Sequence, residues 1–176
     1  MEKNTKKTLR NILIFLLICL IVMGAAFYFS RNYLVVFPVA GDSMEGTIHN
    51  GEYALVFRTE KVDYGDIIVF LWEEENKHLI KRVIGLPGDK IEISYSNEDE
   101  VYYVYRNGEK LEEDYILEPM KYYSTISVEV PEGKIFFLGD NRMNSLDSHV
   151  GNFYADIKNV EGVVFMKYKG WKIKFL

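Results

Sequence analysis

The chain has 176 residues, of which 48% are hydrophobic and 15% aromatic, and its net charge is −5. That length suits one domain plus an anchor, and the single cysteine, Cys19, excludes an intrachain disulfide. The charge is uneven: Lys3, Lys6, Lys7 and Arg10 against Glu2 give the first ten residues +3 and leave −8 on the rest, an acidic balance that argues against nucleic acid as a partner.

Residues 12–29 are apolar apart from one glycine. Eighteen such residues lie at the short end of the roughly 17–25 that cross a hydrocarbon core. The basic residues ahead of this run favour a cytoplasmic N-terminus, with the main domain on the outer face. Composition alone fits a cleaved signal peptide equally well, because Gly24-Ala25-Ala26 supplies small residues after the apolar stretch.

From Tyr33 onward helical periodicity is weak, and short strand-like runs recur between turn signals. Strands are expected at 53–58, 67–72, 79–84, 91–95, 101–106, 127–130, 135–138 and 160–168. Asn107-Gly108 is a hairpin signal. The pattern predicts a mainly β, antiparallel domain with little helix. The apolar run Leu34 to Ala40 is expected to be a core strand and also one wall of a substrate groove. Residues 94–124 differ from the rest: they are acidic and rich in tyrosine, as a solvated hairpin or a smaller β lobe would be.

Three blocks carry chemistry. The first is Gly41-Asp42-Ser43-Met44, a serine in a glycine turn; the second opens Lys81-Arg82-Val83-Ile84-Gly85 and ends in Pro87-Gly88-Asp89; the third is Gly139-Asp140-Asn141-Arg142, continuing to Ser145, Asp147 and Ser148. A serine hydroxyl needs a base to become a nucleophile. A lysine serves only when neutral near pH 7, which requires lowering its pKa of about 10.4 by roughly three units, a cost of about 4 kcal/mol. Desolvation can supply that. In a strand, Lys81 shares a face with Leu79 and Val83, while Ile80, Arg82 and Ile84 share the other. Taken alone, a strand lysine is ordinarily a solvated edge residue. His49, His78 and His149 stand apart with no metal-ligand spacing, so no metal and no cofactor is expected.

Together and in this order, the blocks resemble the bacterial type I signal peptidases, serine proteases with a Ser-Lys dyad. The resemblance implies a retained membrane anchor at 12–29 after a cytoplasmic tail at 1–11, and an extracytoplasmic catalytic domain at 30–176 with 94–124 as an inserted β lobe. It implies that Ser43 is the nucleophile and Lys81 the general base. It further implies that Ser145 orients the lysine, while Asp140, Arg142 and Asp147 brace the site. Phe37, Pro38, Val39, Gly41 and Met44 would form the groove that receives exported preproteins at the lipid membrane. The Ser43 backbone N–H is the candidate oxyanion donor; some relatives add a hydroxyl at the position held here by Gly41.

Two residues depart from the family pattern: Gly46 where proline is usual, and His149 where arginine is usual. Glycine loosens the turn after the nucleophile, and histidine does not fork onto a carboxylate as arginine does. These departures leave room for a specialised relative, or for an assembly factor with the peptidase fold and little proteolytic role. A Ser-His-Asp arrangement of Ser43, His149 and Asp147 would leave Lys81 without a purpose.

Overall fold

The computed structural model describes residues 2–150 and 153–176. A single long helix, α1 (Glu2–Tyr33), begins the chain. Its segment Lys7–Tyr33 has a mean hydropathy of 2.9 and is long and apolar enough to cross a membrane. Large apolar side chains are exposed along its length, among them Phe15, Leu20 and Phe27, as suits lipid rather than a protein core. The helix outruns the expected 12–29 at both ends, because residues 2–10 and 30–33 contain no proline or glycine to stop it. Near its end Asn32 Nδ2 donates to the Tyr28 carbonyl (2.7 Å) and Ser30 Oγ to that of Phe27 (3.3 Å).

The remainder is β structure. In chain order the strands are β1 (Leu34–Pro38), β2 (Tyr53–Phe57), β3 (Ile67–Trp72), β4 (Lys77–Gly85), β5 (Lys90–Ser96) and β6 (Val101–Arg106). There follow β7 (Glu109–Lys110), β8 (Ile126–Glu129), β9 (Lys134–Leu138), β10 (Ala155–Asp156), β11 (Val160–Lys169) and β12 (Lys172–Phe175). The main sheet runs β1-β2-β11-β3-β4-β9-β10, with β12 also pairing β11; a second sheet runs β7-β6-β5-β8. The chain leaves the main sheet after β4, builds the second sheet and returns at β9. That sheet reaches from Lys90 to Glu129, wider than the acidic tract at 94–124. Composition marked its surface, whereas its core depends on Ile91 and Ile93, which both precede that tract.

Side chains alternate between two buried sides, which is why β3 and β9 read as unbroken apolar runs. Ile67 and Val69 join a cluster with Val39, Met44 and Ile48, while Ile68 and Phe70 join another with Val83, Ile135 and Phe137. Phe136 and Leu138 face the opposite way, into a third cluster with Ile91, Ile93 and Val104 of the second sheet. Strand β12 escaped the sequence reading, although Lys172-Ile173-Lys174-Phe175 alternates as a strand should. It pairs with β11 after a turn at Gly170, whose φ of +58° favours glycine.

Candidate active site

The site is built from three segments: the turn that follows β1, strand β4, and the loop that leaves β9. Lys81 sits in mid-strand opposite Ile68, on the face it shares with Leu79 and Val83, both of which pack in the cluster around Phe70 and Phe137. Only 3% of its surface is exposed. Burial lowers its pKa from 10.5 to about 8, against the opposing pull of Asp147 and Asp140. Its Nζ donates to Ser145 Oγ at 2.7 Å, and Ser145 itself is in extended conformation after a short 3-10 turn at Arg142–Asn144.

Ser43 is half-buried in the turn between Pro38 and β2. Asn141 pins this turn twice, through its N–H to the Ser43 carbonyl (3.0 Å) and its Nδ2 to the Asp42 carbonyl (3.0 Å). Gly139 brings the two serines together. A Cβ built on Gly139 would stand 2.3 Å from Ser145 Oγ and 2.4 Å from the Ser43 carbonyl oxygen. Only a residue without a side chain lets the Ser43 turn and the Ser145 loop pack at this separation. Among the described residues, no hydrogen bond joins Ser43 Oγ to Lys81, and the Ser43 N–H has no partner in the protein.

Carboxylates behind these groups are buried and fully engaged. Asp140 is 0% exposed and takes a two-pronged contact from Arg82, Nε to Oδ1 at 2.8 Å and Nη2 to Oδ2 at 2.6 Å. Arg82 also reaches the Gly65 carbonyl (2.7 Å) and lies over the Tyr115 ring (4.0 Å). Asp147, likewise 0% exposed, accepts the Gly139 N–H at 2.9 Å and meets His149 Nδ1 at 2.5 Å. His149 in turn stacks on Tyr123 with ring centroids 4.2 Å apart. Arg142 pairs with neither aspartate. It is held by Glu113, with Nη1 to Oε2 at 2.9 Å and a second, shorter contact through Nη2, and it donates through Nε to the Gly139 carbonyl (3.1 Å). Arg142 therefore ties the Ser145 loop to the tyrosine-rich segment.

A cleft of about 100 Å³ beside Ser43 is lined by Pro38, Val39, Gly41, Met44, His78 and Ile80, among others. Of the expected groove residues Phe37 does not line it. Phe37 packs on the core and against the His78 ring (5.0 Å), and it is His78 that faces the cleft. Nothing along the chain marks His78 for this position. Arg82, Glu113, Asn141 and Gly139 were likewise not singled out individually. Arg82, Gly139 and Asn141 lie within the three sequence blocks, but their partners, 58 residues away for Arg82, leave no pattern along the chain. Gly46 has φ +98°, which proline cannot adopt, so the departure from the family pattern comes with a different turn. No cluster of ligating side chains that could hold a metal ion occurs among the described residues.

The family described as "Signal peptidase, peptidase S26" matches residues 8–171. A signal peptidase I of Bacillus licheniformis is 36% identical over 92% of this chain and 90% of its own. Signal peptidase I P of Bacillus subtilis subsp. natto is 34% identical, again over 92% and 90%. Among solved structures, a signal peptidase I from Enterococcus faecalis V583 is 33% identical and covers 59% of this chain and 97% of that one, with a TM-score of 0.47.

Proposed function

The chain belongs to the S26 family of signal peptidases, and from that premise we propose that Ser43 is its nucleophile and Lys81 its general base. The protein is a membrane-anchored serine endopeptidase that removes signal peptides from exported preproteins. The observation that carries the residue assignment is a buried amine, lowered to about 8, hydrogen-bonded to Ser145 beside the turn that holds Ser43. The reading as an assembly factor without proteolysis is not favoured, since the relatives are peptidases by name.

Ser43 Oγ attacks the scissile carbonyl carbon as neutral Lys81 takes its proton. The resulting oxyanion accepts from the Ser43 backbone N–H, a donor with no partner among the described residues. The C–N bond then breaks, and Lys81 returns the proton to the departing amine. Water, deprotonated in its turn by Lys81, hydrolyses the acyl-enzyme. Ser145 orients the amine. Asp140 with Arg82, and Arg142 with Glu113, hold the loop that carries Ser145. The cleft along Pro38, Val39, Gly41 and Met44 takes the substrate as an added strand, with main-chain hydrogen bonds for affinity and shallow pockets for specificity.

Residues 12–29 cross the hydrocarbon and residues 1–11 stay in the cytoplasm, because their lysines and arginine resist translocation. The catalytic domain, 30–176 with its lobe at 94–124, then stands on the outer face. Incubating the full-length protein with a preprotein tests the dyad: cleavage is expected from wild type and from neither Ser43→Ala nor Lys81→Ala. Appreciable cleavage by Lys81→Ala would remove the lysine as base. Loss of activity in His149→Ala with Lys81→Ala still active would install the histidine in its place.

A further inference from the structure

Apart from the catalytic cleft, a hollow of about 500 Å³ lies in the tyrosine-rich lobe. Strand β6 and the loop after β7 enclose it, and Val101, Leu111, Ile116, Pro119 and Met120 make its apolar walls. Its charge is one-sided. Asp99, Glu112, Glu113 and Glu118 line it against the single cation Lys110. Lys110 is drawn over the Tyr103 ring (3.4 Å), and Glu113 is bound by Arg142. Asp99 accepts from Tyr103 Oη at 3.0 Å. Glu112 and Glu118 are exposed and have no ionic partner among the described residues.

An apolar hollow with two free carboxylates at its rim selects an occupant that is both apolar and basic. A neutral greasy segment would leave the carboxylates to water, and an acidic one would be repelled. We propose that this cavity is a second binding site for substrate, an exosite that captures a segment of the exported chain in which lysine or arginine alternates with apolar residues. The hollow is also coupled to the reaction centre by contacts. Met120, in its wall, accepts from Arg142 Nη1 (3.4 Å), and Glu113 holds the same guanidinium, which in turn grips the Gly139 carbonyl between the two serines. The proposal rests on the peptidase reading for the origin of the segment, but its binding chemistry does not.

The test uses full-length protein in nonionic detergent, with Ser43→Ala to prevent cleavage. Two fluorescein-labelled peptides serve as probes, Lys-Leu-Lys-Val-Lys-Leu and its counterpart with glutamate for lysine, read by anisotropy. The basic peptide is expected to bind, and Glu112→Gln with Glu118→Gln to weaken it roughly ten-fold. The acidic peptide should bind at least as weakly as the basic one does to the double variant. Equal binding of the basic peptide to parent and double variant, with unchanged thermal melts, overturns the proposal, as does equal binding of the two peptides. In otherwise wild-type protein, the double variant should raise KM for a preprotein carrying the basic segment and leave kcat alone; a fall in kcat without a rise in KM also overturns it. If Ser43→Ala still cleaves preprotein, the nucleophile assignment fails while the peptide result stands on its own.

Discussion

Gly139→Ala is the sharpest perturbation available, because it adds one methyl group and removes no functional group. An ideal Cβ there meets Ser145 Oγ at 2.3 Å and the Ser43 carbonyl oxygen at 2.4 Å, against a working minimum of 3.0 Å for such contacts. Each partner must retreat by more than about half an ångström. Neither can move freely. Ser43 is held by the Asn141 N–H (3.0 Å), Gly139 by the Asp147 carboxylate (2.9 Å), and Ser145 by Lys81 (2.7 Å). Misplacement of about 1 Å in a reacting pair costs on the order of 10²-fold in rate, and overpacking costs about 1–3 kcal/mol of stability. The expected result is a folded protein, somewhat less heat-resistant, with kcat on a preprotein reduced about 10²-fold or more. The limb of the pH profile should also move, since the Lys81–Ser145 hydrogen bond is stretched. The reasoning fails if kcat stays within about three-fold of wild type, far short of the 10²-fold loss. It also fails if an equal loss of kcat comes with an unshifted pH limb.

The rate should rise with pH through a limb near 8, where Lys81 loses its proton, and be lost as pH falls below it; a limb near the free-lysine value of about 10.4 would show that the amine is not desolvated. The same depression has a sign for stability. Below pH 8 the amine is charged and its burial destabilises the fold, and between 8 and 10.5 the folded state holds fewer protons than the unfolded, so stability climbs with pH. Lys81→Met should therefore be inactive yet melt higher at pH 7, by up to about 3 kcal/mol, with the gap shrinking above pH 8; a melt below wild type at pH 7 would contradict this. Asp140→Ala leaves the Arg82 guanidinium, 11% exposed at its side chain, without its carboxylate, and a loss of about 3–5 kcal/mol is expected in chemical denaturation; a loss under about 1 kcal/mol would mean that the pair is solvated like a surface one. A chain truncated before Asn32 keeps exposed Trp171, Ile173 and Phe175 beside Lys172 and Lys174, and should float with anionic vesicles and cleave faster in their presence; indifference to lipid in both assays would show that this apolar and basic β12 surface does not meet the membrane.

Much of this protein was decided locally, and was therefore legible in its sequence. The apolar N-terminal run needs only length and composition to fit a bilayer, and α1 carries it in 27 residues. Strands β3 and β6 begin and end where runs of β-branched and aromatic residues do, since such side chains suit a pleat; Gly65-Asp66 precedes the first and Asn107-Gly108 follows the second. Ser43 and Lys81 stand out as candidates because each sits in a short block whose residue types serve one chemistry. What the sequence could not decide is whatever depends on two segments meeting. The pKa of Lys81 is a property of its burial rather than of its neighbours along β4. Gly139 reads as one more turn glycine until Ser43 and Ser145 close on it from either side. Arg142, in the same block as Asp140 and Asp147, passes over both and binds Glu113, because Asp140 is already taken by Arg82 and Asp147 by the Gly139 N–H and His149. That choice is made by packing across a sequence distance of 29 residues, which no pattern along the chain records.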